Sequence, residues 1–177
     1  MRVVSYPERE VPLDLRTQVV ALQDQAWPPD EPSGPEPWHD QRLDPVSVLL
    51  IDDDGRVLSA LDILSKDIGH ADATYAASGI SAMVTDPRVR GRGHGRTLCR
   101  AARDLMQGTD ADLGIFTCDA DLQGFYEGAG WTHLGGSALV GGTPDDPLSS
   151  DTLGKVVLAC FFSPRAKERQ EEFVAAT

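Results

Sequence analysis

Ile80-Ser81-Ala82-Met83-Val84-Thr85, followed after a short connection by Arg90-Gly91-Arg92-Gly93-His94-Gly95, decides how this chain is read. An apolar strand that runs into glycines and then opens a helix leaves several main-chain N–H groups facing one point. The first turn of a helix has no upstream carbonyls to satisfy them. With the positive end of the helix dipole behind, those donors make a seat for phosphate. The glycines let a bulky anion approach the main chain closely, and Arg90, Arg92 and Arg96 add positive charge there. They do so in a chain with 16 basic against 28 acidic residues and a net charge of −12.

Downstream, Leu98, Ala101, Ala102 and Leu105 fall at i, i+3, i+4 and i+7, one helical face, and Gly108 is placed to cap it. Residues 113–118 read as a short buried strand. Leu122, Phe125, Tyr126 and Ala129 then form a second helical stripe that ends at Gly130-Trp131. Upstream, residues 2–6 read as a strand. Leu15, Val19, Leu22 and Ala26 mark an amphipathic helix over 14–26, and the prolines between Trp27 and Trp38 stop it. Val46–Ile51 and residues 56–64, joined by Asp52-Asp53-Asp54-Gly55, predict a β-hairpin, and Ala73–Thr85 is the strand that feeds the glycines. Beyond Trp131 the pattern predicts a strand to Leu134, a long loop over 141–150 and a closing strand over 155–162. Ser163-Pro164 then starts a charged helix over 163–177. The sum is an α/β (α+β) chain forming one domain over 1–177: a mixed, mostly antiparallel sheet flanked by helices on both faces.

The acidic balance argues against nucleic acid as a partner, because a phosphate backbone needs a basic surface. It favours a cationic ligand by raising its local concentration, although the same balance also serves plain solubility. No stretch approaches the roughly 20 apolar residues of a membrane span, and the N-terminus lacks a basic-then-apolar signal, so a cytoplasmic protein is expected. Cys99, Cys118 and Cys160 are odd in number and scattered, which suits reduced thiols. His39, His70, His94 and His133 form no ligand pair at helical spacing, so no metal is expected.

Three phosphate cradles compete for the glycines. A P-loop needs Lys-Ser or Lys-Thr after its second glycine, and none is present. The Rossmann fingerprint fails because the sixth position counted from Gly91 is Arg96. What remains, Arg-x-x-Gly-x-Gly, resembles the pyrophosphate loop of the GCN5-related N-acetyltransferases, the GNAT family. A glycine-rich surface turn would carry the same hexapeptide. The string Phe125-Tyr126-Glu127-Gly128-Ala129-Gly130-Trp131 resembles the second signature of that family, in the expected order with strand and helix between. The resemblance implies a GNAT-like fold and acetyl-CoA as cosubstrate. Its diphosphate would lie on Arg90, Gly91, Arg92, Gly93, His94 and Gly95, and Met83, Val84 and Thr85 would grip the rest in β-sheet fashion.

An amine attacking a thioester needs a free lone pair, a polarised carbonyl and a proton for the leaving thiolate. By the resemblance a main-chain N–H over 82–85 polarises the carbonyl, and the hydroxyl of Tyr126 protonates the thiolate, although a half-buried core tyrosine would fit the same stripe. The position where relatives often carry a basic Glu is Ser81, which is no base at neutral pH. Asp30, Asp119, Asp121 and His133 are the candidates to replace it, each equally readable as a loop acid, a helix cap or a strand residue. Cys118 as an acyl carrier has nothing nearby in sequence to activate it.

Within the family the chain is most similar to the aminoglycoside 2′-N-acetyltransferases. The carriers are Ala26-Trp27 before Pro28-Pro29-Asp30, the Trp38-His39 pair, Gly130-Trp131, and Thr143-Pro144-Asp145-Asp146. That resemblance implies Asp30, Asp119, Asp145 and Asp146 holding the ammonium or hydroxyl groups of an amino sugar. Trp38 would wall the pocket, with Ser81 and Ala82 lining it; Asp145-Asp146-Pro147 also reads simply as a turn. The expected function is transfer of an acetyl group to a primary amine of a small cationic substrate. The alternatives are a catalytically silent CoA-binding module and a protein or peptide N-acetyltransferase. The resemblance and the charged final helix also allow a homodimer.

Overall fold

The computed structural model describes every residue except Pro32, Pro144, Ala176 and Thr177, and describes only the backbone of Thr143, Val174 and Ala175. Seven strands form one sheet in the order β1-β2-β3-β4-β5-β9-β6. They are β1 (Arg2–Pro7), β2 (Val46–Ile51), β3 (Val57–His70), β4 (Ala73–Thr85), β5 (Leu113–Asp119), β6 (Thr132–His133) and β9 (Lys155–Phe161). β4 and β5 run parallel, while β1–β2, β2–β3, β5–β9 and β6–β9 are antiparallel. A separate hairpin pairs β7 (Val140–Thr143) with β8 (Asp146–Ser149). The chain divides into two compact units, Met1–Ser65 with Ile80–Ala102, and Lys66–Gly79 with Arg103–Thr177.

The first unit is built on β2. Its run Val48-Leu49-Leu50-Ile51 is fully buried, as expected of a central strand covered on both faces. Helix α1 (Leu13–Ala26) lays Leu15, Val19 and Leu22 against Leu49, Ile51, Val57, Ala60 and Val84, the face its periodicity predicted. Helix α2 (His94–Gln107) differs in detail. It buries Leu98, Cys99, Ala102 and Met106 and leaves Leu105 exposed. Both 105 and 106 are apolar, so the sequence offers two stripes a residue apart, and packing selects the one continuous with Cys99.

In the second unit β4 pairs with β5 at Ala77–Leu113 and Ser78–Gly114. Close approach demands glycine at two places. A Cβ on Gly79 would fall 2.5 Å from the Ile115 carbonyl oxygen, and one on Gly114 would fall 2.8 Å from the Trp131 ring. Tyr75, Leu113, Ile115, Leu134, Val157 and Phe173 form the core.

Three expectations are corrected here. The stretch predicted as a long loop contains most of the β7–β8 hairpin, whose four-residue strands, one bearing two glycines and the other a proline, are too short to display alternation. The stripe from Leu122 splits into a 3₁₀ turn (Ala120–Leu122) and a short α3 (Gln123–Glu127). The C-terminal helix is broken into α4 (Pro164–Glu168) and α5 (Gln170–Ala175), with its last two predicted residues outside the described set. Arg169 at the break is held by Asp72 and Glu172, both at 2.9 Å, and Phe173 turns onto Tyr75 and Phe161. Burying that aromatic outweighs an uninterrupted helix of about 12 residues, which is marginal by itself. The start of α4 is as read: the Ser163 hydroxyl accepts the Ala166 N–H.

Candidate functional site

The glycine segment is anchored where β4 ends. Asp86 is buried, and its carboxylate accepts the main-chain N–H of Arg88 at 2.9 Å, the Arg88 side chain and the Arg56 guanidinium. The hydrogen bonds from Arg88, with Arg56 behind them, hold that carboxyl well below the usual carboxylate range despite burial. A 3₁₀ turn (Pro87–Val89) follows, and Arg90 reaches back to donate to the Thr85 carbonyl at 3.2 Å. Gly91 and Gly93 then take φ of +78° and +82°, a region that costs other residues roughly 1–2 kcal/mol. Gly93 offers its carbonyl to Thr97 at 3.0 Å as α2 begins. Nothing lies within 4 Å of where a Cβ would stand on either glycine, so the space over this backbone is open. Main-chain donors, helix N-terminus and the arginines together suit a diphosphate.

In β4, Ala82 adopts φ +50°, uncommon for a residue with a Cβ, and stands beside the predicted carbonyl-binding segment. Val84 points into the α1 core and its carbonyl accepts from Ser59 at 2.8 Å, so its side chain is not available to a ligand. The Thr85 hydroxyl lies 2.9 Å from that of Ser59, and Met83 is partly exposed.

Next to Ser81, the first unit holds a buried charge cluster that the sequence reading did not find. Glu8 (2% exposed), Arg16 (3%) and Asp62 (1%) come from the turn after β1, from α1 and from β3. Glu8 accepts from Arg16 at 3.2 Å, from the Trp38 N–H at 3.2 Å and from the Gln41 amide at 3.0 Å. His39 Nδ1 lies 3.1 Å from Glu8 Oε1 and 3.9 Å from Asp62 Oδ2, and His39 Nε2 lies 3.3 Å from Ser81 Oγ. Burial works to raise the Glu8 carboxyl, but His39, the Trp38 N–H and Arg16 together bring it below its ordinary value. Burial pushes the Asp62 carboxyl up, opposed by the Ser47 hydroxyl at 2.6 Å. Asp62 Oδ2 and two guanidinium nitrogens of Arg16, Nε and Nη1, are buried without hydrogen-bond partners. The only sequence signal for this cluster was the Trp38-His39 pair, noted for another reason.

Also in the first unit is a cavity of about 250 Å³ whose lining includes Arg16, Gln23, Asp24, Trp27, Glu36 and Trp38. Trp27 and Trp38 are 52% and 58% exposed, unusual for such large apolar rings. Asp30 is exposed and is not among the lining residues, and Pro32 of the same loop lies outside the described residues.

Tyr126 belongs to the second unit, buried with its ring 4.9 Å from Phe116 and from Phe125. Asp119 is bound to Lys155, its partner across the β5–β9 register, which leaves it a surface ion pair. Asp121 is exposed, and His133 is half-buried on β6 opposite Leu158. Asp145 and Asp146 are exposed at the tip of the β7–β8 hairpin; Pro144 of that string lies outside the described residues. Burial pushes the Cys118 thiol up to about 11, with Asp119 and Asp121 adding to it, so it stays protonated at neutral pH. Among the described residues no group of His, Cys, Asp or Glu is arranged to hold a metal ion, and no helix is long and apolar enough to cross a membrane.

Residues 9–134 match the family model described as acetyltransferase (GNAT) domain. No curated protein matches the sequence. Among solved structures, ElaA of Escherichia coli superposes with a TM-score of 0.58 at 16% identity, covering 90% of this chain and 99% of that one. An acyl-CoA N-acyltransferase from Pseudomonas aeruginosa gives 0.57 at 16% identity, covering 90% and 99%. Glucosamine-6-phosphate N-acetyltransferase from Arabidopsis thaliana gives 0.59 at 15% identity, covering 82% and 100%. At such identities the likeness to these structures is one of fold.

Proposed function

The chain belongs to the acetyltransferase (GNAT) domain family and is an acetyltransferase using acetyl-CoA, and on that premise we propose that it acetylates a primary amine of a small cationic acceptor, aminoglycoside-like amino sugars being the first candidates. The observation that carries the reading is the pair of left-handed glycines, Gly91 and Gly93, joining the end of β4 to the N-terminus of α2. In this reading the main chain from Arg90 to Gly95 holds the diphosphate, and the backbone of Met83 and Thr85 holds the arm of the cofactor. A main-chain N–H beside the Ala82 irregularity polarises the acetyl carbonyl. The neutral amine attacks, the C–N bond forms and the C–S bond breaks; the Tyr126 hydroxyl gives its proton to the thiolate, and the proton shed by the acylated nitrogen restores the phenol by way of solvent.

The cavity between Trp27 and Trp38 supports a cationic acceptor. The aromatic rings and the carboxylates of Asp24 and Glu36 suit an ammonium group, and Asp30 follows the lining residue Pro29 in sequence. The side chains of Asp119, Asp145 and Asp146 gain no comparable support, since one is paired with lysine and the others form a hairpin tip.

Calorimetric titration with acetyl-CoA, followed by thiol-release assays over amino sugars, polyamines and peptides, tests the proposal. Binding with turnover on an amino sugar or polyamine is the expected result. Turnover on peptides alone would move the acceptor to a polypeptide, and binding with no turnover on any amine would leave a CoA-binding module.

A further inference from the structure

A protonated amine must lose a proton before it can attack, and Ser81 cannot take it alone. The geometry around Ser81 supplies what is missing. Glu8, drawn below its ordinary value, is an ionised carboxylate, and an ionised carboxylate only accepts hydrogen bonds. At 3.1 Å from Glu8 Oε1, His39 Nδ1 must therefore carry the proton, and the lone pair of the neutral ring is on Nε2. That nitrogen faces Ser81 Oγ at 3.3 Å, so the serine hydroxyl donates to the imidazole and its oxygen keeps lone pairs with which to accept.

We propose that Ser81, His39 and Glu8 form a proton relay that removes the ammonium proton of the acceptor, with Ser81 at the substrate and His39 as the proton's destination. The inference rests on the transferase reading above. The acceptor's N–H proton passes to Ser81 Oγ while the Ser81 hydroxyl proton passes to His39 Nε2. The products are a neutral amine, an intact serine and an imidazolium. No bond other than N–H and O–H is made or broken in this step, and the imidazolium returns its proton to solvent after each turnover.

The surroundings fit an imidazole that must become cationic. The groups facing it are Glu8 from the turn after β1, Asp62 from β3, Ser81 from β4 and the Trp38 ring at 4.8 Å, with Arg16 of α1 bound to the same Glu8 Oε1 at 3.2 Å. Two carboxyl groups thus stand against the ring nitrogen that stays protonated, and that nitrogen shares Glu8 Oε1 with the Arg16 guanidinium. Glu8 also ties down the Trp38 N–H and the Gln41 amide, which fixes the loop bearing His39. Glu8 is accordingly the positioning residue. The partnerless Oδ2 of Asp62, 3.9 Å from Nδ1, is a second acceptor available once the ring is charged.

The test measures thiol release against pH for the wild type, His39→Gln and Ser81→Ala with glucosamine, spermidine and an alanine-led tetrapeptide as acceptors. Acetyl-CoA binding is followed in parallel by calorimetry. The expected result for His39→Gln is a kcat about 10²-fold lower with acetyl-CoA affinity unchanged, and an acidic limb that moves up towards the amine's own titration. Added imidazole should restore part of the rate in His39→Ala. In the wild type without substrate, nitrogen NMR of the imidazole should show the Nδ1–H tautomer when neutral. Wild-type rate and an unmoved acidic limb in His39→Gln, or the Nε2–H tautomer in the wild type, would overturn the relay and leave the transferase reading standing. Absence of acetyl-CoA binding and turnover in the wild type would overturn both.

Discussion

Tyr126 and Asp112, both buried in the second unit, lend themselves to substitutions with different readouts. Tyr126 keeps its ring against Phe116 and Phe125 whether or not it bears a hydroxyl. Tyr126→Phe is therefore expected to fold normally while kcat for thiol release falls about 10²-fold and the KM for acetyl-CoA stays put. Asp112 accepts from Arg165 at 2.8 Å, Ser163 at 2.7 Å and the Ala76 N–H at 3.0 Å. The Arg165 hydrogen bonds, aided by Ser163, hold its carboxyl well below the ordinary 3.8. A carboxyl depressed in the folded state stabilises the fold fully above its unfolded value and loses that contribution as pH falls. Asp112→Asn should accordingly lower stability at pH 7 by about 2 kcal/mol, Arg165 being open to solvent. It should also flatten the decline in acid, which denaturant titrations from neutral pH down past pH 4 would reveal. Glu8, Arg16 and Asp62 were invisible to sequence reading for a plain reason: each stands among unremarkable neighbours, and their meaning comes only from being buried together.

At the scale of elements, glycine serves two purposes that substitution can separate. Gly79 is required because β5 passes so close that a Cβ would lie 2.5 Å from the Ile115 carbonyl oxygen. Gly79→Ala should cost about 2 kcal/mol in a denaturant titration through strain between β4 and β5. Gly93 has open space and is required by φ +82°. Gly93→Ala should re-form the loop to escape strain and weaken acetyl-CoA binding about tenfold in calorimetry, with a smaller effect on stability. The strand–glycine–helix order was legible because strand alternation, left-handed glycine and a helix N-terminus are each local properties. The β7–β8 hairpin and the break at Arg169 were not legible. Four-residue strands carry too few residues for a pattern, and the break answers to Phe173 meeting Tyr75, a contact far removed in sequence.

Across the whole molecule the net charge of −12 sets the long-range field. A polycationic acceptor is drawn to such a surface and a neutral amine is not. Raising salt from low to physiological ionic strength should therefore raise the KM for spermidine and leave that for a small uncharged amine nearly constant, as steady-state thiol release would show. The same change should weaken acetyl-CoA binding through Arg90, Arg92 and Arg96 only modestly, because in the proposed site main-chain donors that carry no net charge share the diphosphate. By itself the sequence determined the order of most elements, the strand–glycine–helix segment around residues 90–95 and, through two spaced motifs, the family. Those features depend on periodicity, backbone conformation and unsatisfied amides, all confined to short stretches of chain. Only the tertiary structure decided what Ser81 faces. His39 is 42 residues from Ser81 and 31 from Glu8 in sequence, and the pairing of β2 with β3 puts Ser47 across from Asp62. Burial, which sets the charge state and the hydrogen bonding of such a cluster, exists only once distant segments have excluded water between them.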